Sequence, residues 1–293
     1  MLTSISRYFL EQHDWVVIGL NPEDNMREAL AAKLYTSFKV KHLFIEKTFH
    51  VISFSISGKN PILNIDDLLD KMFKELSRHN IKVLITIDEA SNNTYMKQLA
   101  LSFQMLIRED YQLFLLTTGL FENITSLENE NNLTFLIRAP KFYLGPLNLT
   151  AISNSYKTTL SLGNEEAIKC AKLTKGYAFA FQLLGYLMYE EAKKEIDEEV
   201  LNKFDLYLDE FVYSKIWSTL TKVEQKILIS IKSNNSITVS NILTDLDMTK
   251  AYFSRYRDRL IKKGLLDGSQ HGKIILTLPR FYEFIQNKLM FLE

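Results

Sequence analysis

The 293-residue chain has one cysteine, Cys170, which excludes an internal disulfide framework and a cysteine-based zinc site and fits a reducing compartment. Five prolines and ten glycines are too few for long disordered linkers, so the chain is expected to fold throughout. Neither charge is in excess: 35 Lys and Arg balance 35 Asp and Glu. No overall field therefore draws in nucleic acid or membrane, and a charged partner must be met by a local patch. Long apolar runs are missing too. The most apolar stretch, Tyr177 to Tyr189, is too short to span a bilayer and reads as a buried helix. Arg7, Glu11, His13 and Asp14 interrupt the region where a secretory signal would need its apolar core. A cytoplasmic protein is expected. The five histidines, His13, His42, His50, His79 and His271, form no ligand motif.

What is present is an alternation of apolar runs and amphipathic stretches. Leu2, Ile5, Phe9 and Leu10 share a helical face, and "WVVIGL" (15–20) reads as a buried parallel strand. "PEDNMREALAAKLYTSF" reads as a helix with Pro22 and Glu23 in its first turn. A strand pair is expected between Leu43 and Ser57, and "NIDDLLDKMFKELSRHN" is an amphipathic helix beginning near Asn64. It leads to the strand "KVLITIDEA" (82–90). A helix over 91–108, the strand "QLFLLTTG" from Gln112 and a further strand, "KFYLGPL", from Lys141 complete the pattern of a parallel sheet covered by helices. From Asn148 to about Tyr213 only helical segments occur, and "EIDEEV" is a solvated helix start. The last eighty residues give three helices, "TKVEQKILISIKS", "TVSNILTDLDM" and "TKAYFSRYRDRLIKKG", the third closed by Gly264. Two short strands then flank a turn containing Gly268 and Gly272. That is the order of a winged helix-turn-helix.

Asp88 and Glu89 close the central strand. In an open parallel sheet, ligands gather at the carboxyl ends of the strands. A first carboxylate there can hold a hydrated Mg²⁺, and a second, pointing to the other side of the strand, can orient an attacking water. Thr117 and Thr118 end the next apolar strand, where hydroxyls can reach a γ-phosphate or its water. A metal-dependent nuclease would need a further carboxylate at suitable spacing on a neighbouring strand end, and none is evident.

Over nearly its whole length the layout resembles the AAA+/STAND class of P-loop ATPases, particularly archaeal-type ATPases with a C-terminal winged helix. "VLITIDEA" is similar to the Walker B motif, "LFLLTTG" to sensor 1, and "TKGYAFAFQLLGY" to the lid helix that follows a glycine. The resemblance implies an α/β nucleotide-binding core (1–147), a helical lid (148–213) and a winged-helix domain (214–293). It implies ATP and Mg²⁺ as cofactors, Asp88 as the water-mediated metal contact, Glu89, Thr117 and Thr118 as catalytic groups, and Gly176 near the nucleotide. Arg138, before the last strand, takes the place of an arginine finger. Three departures stand out. No G-x-x-x-x-G-K-[ST] phosphate loop occurs in the 293 residues: Gly58-Lys59 is followed by Asn60 and Gly272-Lys273 by Ile274. The chain begins with the helix and strand that in the family follow this loop, so Met1 is expected to lie just beyond it. Tight ATP binding should then be lost, and the missing central strand should invite self-association. The lid turn reads Gly176-Tyr177-Ala178 in place of Gly-x-Pro, and no arginine opens the next helix as a sensor 2 would.

On the third C-terminal helix Lys250, Arg255, Arg257, Arg259, Lys262 and Lys263 are opposed only by Asp258. Tyr252, Ser254 and Tyr256 supply hydrogen-bonding groups, and Phe253, Leu260 and Ile261 can pack inward. This division of cations, polar groups and an apolar face suits double-stranded DNA, with Lys273 adding a contact from the wing. The alternative is a protein-docking module, and with it a non-enzymatic DNA-binding or scaffold protein on a degenerate ATPase core.

Overall fold

In a computed structural model that describes residues 1–44, 64–231 and 236–290, the apolar run Lys82–Ile87 is the middle strand of a three-stranded parallel sheet. The chain divides into two units, Met1–Lys141 and Phe142–Glu293.

The first unit contains, in order, α1 (Leu2–Leu10), β1 (Trp15–Leu20), α2 (Met26–Thr36), α3 (Ile65–Arg78), β2 (Lys82–Ile87), α4 (Thr94–Arg108), β3 (Leu113–Thr117) and α5 (Phe121–Glu128), with 3-10 turns at Lys41–Phe44 and Thr134–Arg138. The sheet order is β1-β2-β3, with Ile87 opposite both Leu20 and Thr117. Every residue of β2 after Lys82 is buried, as expected of a strand covered on both faces. Leu30 and Leu34 of α2, Leu69, Met72 and Leu76 of α3, and Met96 and Leu99 of α4 pack around it in one core. Asn64 and Asn93 cap α3 and α4 by accepting from the main-chain N–H of Asp66 and Met96.

Three expectations change here. Helix α2 starts at Met26, because the Asn21 side chain organises a turn over "NPED", accepting from Glu23 N (3.2 Å) and donating to Asp24 (3.1 Å). Helix α4 starts at Thr94, after a bend. "KFYLGPL" forms no strand, since no neighbouring strand pairs with it among the described residues. The strand pair expected between Leu43 and Ser57 lies outside the described residues, apart from Leu43 and Phe44 in a 3-10 turn.

The second unit opens with α6 (Leu149–Leu160), α7 (Asn164–Thr174), α8 (Ala178–Glu190) and α9 (Glu198–Leu208), the last running through a π-helical turn, Asp209–Tyr213, into α10 (Ser214–Ser218). Then come α11 (Lys222–Ile229), β4 (Ser236–Thr238), α12 (Val239–Asp245), α13 (Lys250–Lys262), β5 (Leu266–Asp267), β6 (Lys273–Leu276) and α14 (Phe281–Met290). The small sheet is antiparallel in the order β4-β6-β5. Helix α12 begins at Val239 with Thr238, the last residue of β4, as its cap, and α14 adds a closing element. One core, from Ile152 to Ile285, serves the whole unit. Polar ties cross it: Arg280 Nε donates to Asp205 (2.7 Å), the Tyr213 hydroxyl to the Pro279 carbonyl, and Lys175 Nζ to the Leu276 (3.1 Å) and Leu278 (3.2 Å) carbonyls. Burial pushes the Cys170 thiol up to about 12, which disfavours the thiolate form. Helix α8 buries Leu183, Leu184 and Leu187 but leaves Tyr186 and Tyr189 exposed. Among the described residues no helix is long and apolar enough to cross a membrane.

The most buried carboxylate among the described residues of the second unit, Glu224 at 1% exposure, sits in a capping box. Glu224 Oε2 accepts from the Thr221 N–H (2.8 Å) and hydroxyl (2.9 Å), and Oε1 lies 3.4 Å from Lys263 Nζ on α13. Burial pushes this carboxyl up, and the Thr221 bonds with Lys263 more than offset it, leaving the pKa below the ordinary 4.5. A lowered folded-state pKa stabilises fully above the unfolded value and is lost as pH falls through the folded one. Acid unfolding should therefore show a loss of stability below about pH 4.5 that is reduced in Glu224→Gln. At neutral pH that substitution should cost about 1–3 kcal/mol in urea unfolding.

Candidate functional site

Main-chain pairing continues past the strand ends at the carboxyl edge of the first sheet. The Thr118 N–H donates to the Ile87 carbonyl (2.9 Å), and the Ala90 N–H to the Thr118 carbonyl (2.8 Å). These two bonds bracket Asp88 and Glu89 and bring Thr118 across to them. The Thr118 hydroxyl donates to Asp88 Oδ1, which also accepts from the Glu89 N–H (3.1 Å). The second Asp88 oxygen has no hydrogen-bond partner among the described residues, and both carboxylates are exposed.

The backbone does not carry the two carboxylates as successive strand residues. Strand β2 ends at Ile87, and Glu89 has φ 54°, a left-handed conformation that a side-chain-bearing residue adopts at a cost of about 1–2 kcal/mol. The pair is separated by this turn and not by strand alternation. Thr117 is half-buried opposite Ile87, and no hydrogen bond joins it to either carboxylate. Gly119 is required by close approach: a Cβ there would lie 2.9 Å from the Ala90 carbonyl. Asn93 ties the same loop to the end of β1 by donating to the Pro22 carbonyl (2.8 Å). Neither role shows in the sequence beyond a glycine and an asparagine at strand exits. Arg138 ends its 3-10 turn exposed, with no ion pair among the described residues.

Gly176 has φ 78°, and a Cβ on it would stand 2.6 Å from the Leu147 carbonyl and 2.8 Å from Pro146 Cβ. The Leu147 N–H donates to the Gly176 carbonyl (2.8 Å). Its lack of a side chain is thus used by the segment entering α6, within the second unit.

On α13 the apolar face buries Phe253 and Leu260, as expected. Lys250, Ser254, Arg255, Arg259 and Lys262 are exposed, as are Tyr252 and, at the start of β6, Lys273. Tyr256 donates to the Tyr252 hydroxyl (3.3 Å), and the Arg259 guanidinium lies 5.7 Å from the Tyr256 ring centre. Arg257 differs from its neighbours. Half-buried, it donates through Nη2 to the Gly268 carbonyl (3.0 Å) and fastens α13 to the β5–β6 turn. Lys263 is held by Glu224. Among the described residues no cluster of three or more His, Cys, Asp or Glu is placed to hold a metal ion.

A family model described as a domain of unknown function (DUF8462) matches residues 210–285, from the π-helical turn into α14. No curated protein matches the chain. Among solved structures, the Aeropyrum pernix ORC2 protein, in ADPNP-ADP complexes, is 12% identical with a TM-score of 0.55 over 100% of this chain and 83% of its own. Cdc6p from Pyrobaculum aerophilum is 12% identical at a TM-score of 0.47, covering 99% of this chain and 83% of its own. The Aeropyrum pernix ORC1 protein, solved in complex with DNA, is 14% identical at 0.41, covering 94% and 77%. The likeness to ORC2 is one of fold: the chain has an AAA+ P-loop ATPase-like fold.

Both tight glycines are testable by urea unfolding. Gly176→Ala should cost about 2–4 kcal/mol, from a left-handed backbone combined with overpacking. Gly119→Ala, strained only by contact, should cost about 1–3 kcal/mol. Equal, negligible effects would show that neither approach is close.

Proposed function

We propose that the chain is a regulatory protein of the AAA+/STAND type whose C-terminal module is a winged helix-turn-helix that binds double-stranded DNA. The observation that carries this reading is the exposed face of α13. Lys250, Arg255 and Arg259 offer cations to phosphates, Tyr252 and Ser254 offer polar groups to base edges, and Phe253 and Leu260 are committed to the core. Lys273 extends the same surface from the wing. Arg257 positions the wing instead of meeting phosphate.

Nucleotide chemistry belongs to the same proposal in reduced form. Asp88, with one oxygen unengaged, suits a water-mediated Mg²⁺ contact. Glu89 suits the positioning of a water, Thr118 the sensing of a phosphate, and Arg138 a contact from a neighbouring subunit. The phosphate half of such a site has no counterpart: the 293 residues contain no phosphate loop, and the space beside Gly176 is taken by Pro146 and Leu147. This chain is therefore nucleotide-incompetent by itself, and no hydrolytic step is assigned to it. The alternative, a non-enzymatic DNA-binding protein or scaffold on a degenerate core, draws on that same missing half.

Fluorescence anisotropy with a duplex of about 20 base pairs tests the DNA reading. Each phosphate contact removed should flatten the slope of log affinity against log salt by about 0.9. Arg255→Ala and Arg259→Ala should each do so without lowering thermal stability, whereas Arg257→Ala should lower stability first. Absence of duplex binding at about 50 mM salt would sink the DNA reading and favour the scaffold. Calorimetry with ATP and Mg²⁺ should show no micromolar binding; its detection would overturn nucleotide incompetence and leave the DNA question untouched.

A further inference from the structure

The polar face of α13 is not a row of independent side chains. Tyr252, Tyr256 and Arg259, each about one helical turn from the next, form a connected series. The Arg259 guanidinium lies 5.7 Å from the centre of the Tyr256 ring. That ring meets the Tyr252 ring edge-on, with 5.0 Å between centres and 65° between planes, and the Tyr256 hydroxyl donates to the Tyr252 hydroxyl (3.3 Å).

The two tyrosines differ in what else holds them. Tyr256 is half-buried and packs against the core of the second unit. Tyr252 is 42% exposed, and among the described residues its hydroxyl has no other hydrogen-bond partner than Tyr256. Its main chain is anchored in the first turn of α13, where the Tyr252 N–H donates to the hydroxyl of the capping Thr249 (3.3 Å). The first turns of a recognition helix are those that reach base edges. An exposed side chain ordinarily samples several rotamers and loses that freedom on binding. Here ring and hydroxyl are both engaged by a neighbour that is itself packed, so Tyr252 is oriented before any ligand arrives.

The polarity of the bond decides what Tyr252 can read. A phenol has one O–H to give, and its oxygen can accept. With that oxygen accepting from Tyr256, the group left to face outward is the Tyr252 proton, a donor. In the major groove guanine presents two adjacent acceptors, N7 and O6, with no donor between them; adenine sets its N6 donor beside N7, and cytosine presents only the N4 donor. Resting on the DNA reading above, we propose that Tyr252 sets the base preference of α13 by donating its hydroxyl proton to guanine, and that Tyr256 is the residue that positions it. Arg255 and Arg259 carry affinity through phosphates, and Tyr252 carries discrimination.

The full chain is used to select duplexes from a randomised pool, and anisotropy then compares the selected duplex with versions changed one base pair at a time. At one position guanine should be preferred to cytosine by about three- to tenfold, the worth of one net hydrogen bond. Tyr252→Phe and Tyr256→Phe should each abolish that preference while leaving the salt slope and the circular-dichroism melt unchanged. The double variant should lose nothing more, because both hydroxyls act through one contact. A merely structural Tyr256 would instead weaken binding to all duplexes alike when its hydroxyl is removed, which would overturn the positioning role. Duplex binding without any base preference, a preference that survives Tyr252→Phe, or one for cytosine that Tyr252→Phe removes, would overturn the inference and leave the DNA reading standing. Absence of binding to every duplex would remove both.

Discussion

The main-chain pairing of β2 on both of its edges is the constraint on which the first unit rests. A strand buried on both faces, as Val83 to Ile87 is, can leave no N–H or carbonyl unpaired without losing about 1–3 kcal/mol for each. Parallel neighbours in register meet that demand, and they determine what stands at the carboxyl end. Because Ile87 lies between Leu20 and Thr117, the next residues of each strand emerge together, and Thr118 reaches Asp88 without any side chain having to stretch. The left-handed Glu89 is the local cost of turning the chain away at that point while Ala90 still bonds back to Thr118.

In the second unit cations do the corresponding work. Arg280, Lys175, Lys263 and Arg257 each spend their charge on a carboxylate or carbonyl inside the unit. The basic character of α13 is thus smaller than its composition suggests: of the six cations on that segment, Arg257 and Lys263 are structural. Arg255 and Arg259 remain exposed on the side opposite the apolar face, with Lys250 exposed at the start of the helix. A chain with no net charge can in this way still present a local positive surface.

The legible parts of the sequence were those in which one physical demand dominated. An all-apolar run such as "VLITI" has no stable place except between two strands, and Phe253 and Leu260 seven residues apart must share a buried face. The illegible parts were those decided by a partner elsewhere in the chain. "KFYLGPL" has strand-like composition, yet a strand exists only where another strand supplies hydrogen bonds. Arg257 is indistinguishable by type from Arg255 until Gly268 is brought beneath it. Strand β4, three residues long, has no periodicity to detect and is defined by β6. The start of α2 was masked because proline and an acid suit a first helical turn as well as the Asn21 turn they occupy.

The two halves of the functional reading differ in how far they depend on each other. The core that supports α13 runs from Ile152 to Ile285 and is composed only of residues of the second unit. Its helix caps, the Thr221–Glu224 box and the Thr249 cap of α13, are likewise internal. Among the described residues, the core and caps that shape the basic face are those of the second unit. The residues that hold α13 in place are therefore not those that carry the strand-end carboxylates. Conversely, the pairing that places Thr118 against Asp88 is closed by main-chain bonds within the first unit, so the strand-end geometry persists whether or not a nucleotide is ever bound. Persistence of that geometry is consequently weak evidence for catalysis, and exposure of the α13 cations is the stronger guide to what the protein does.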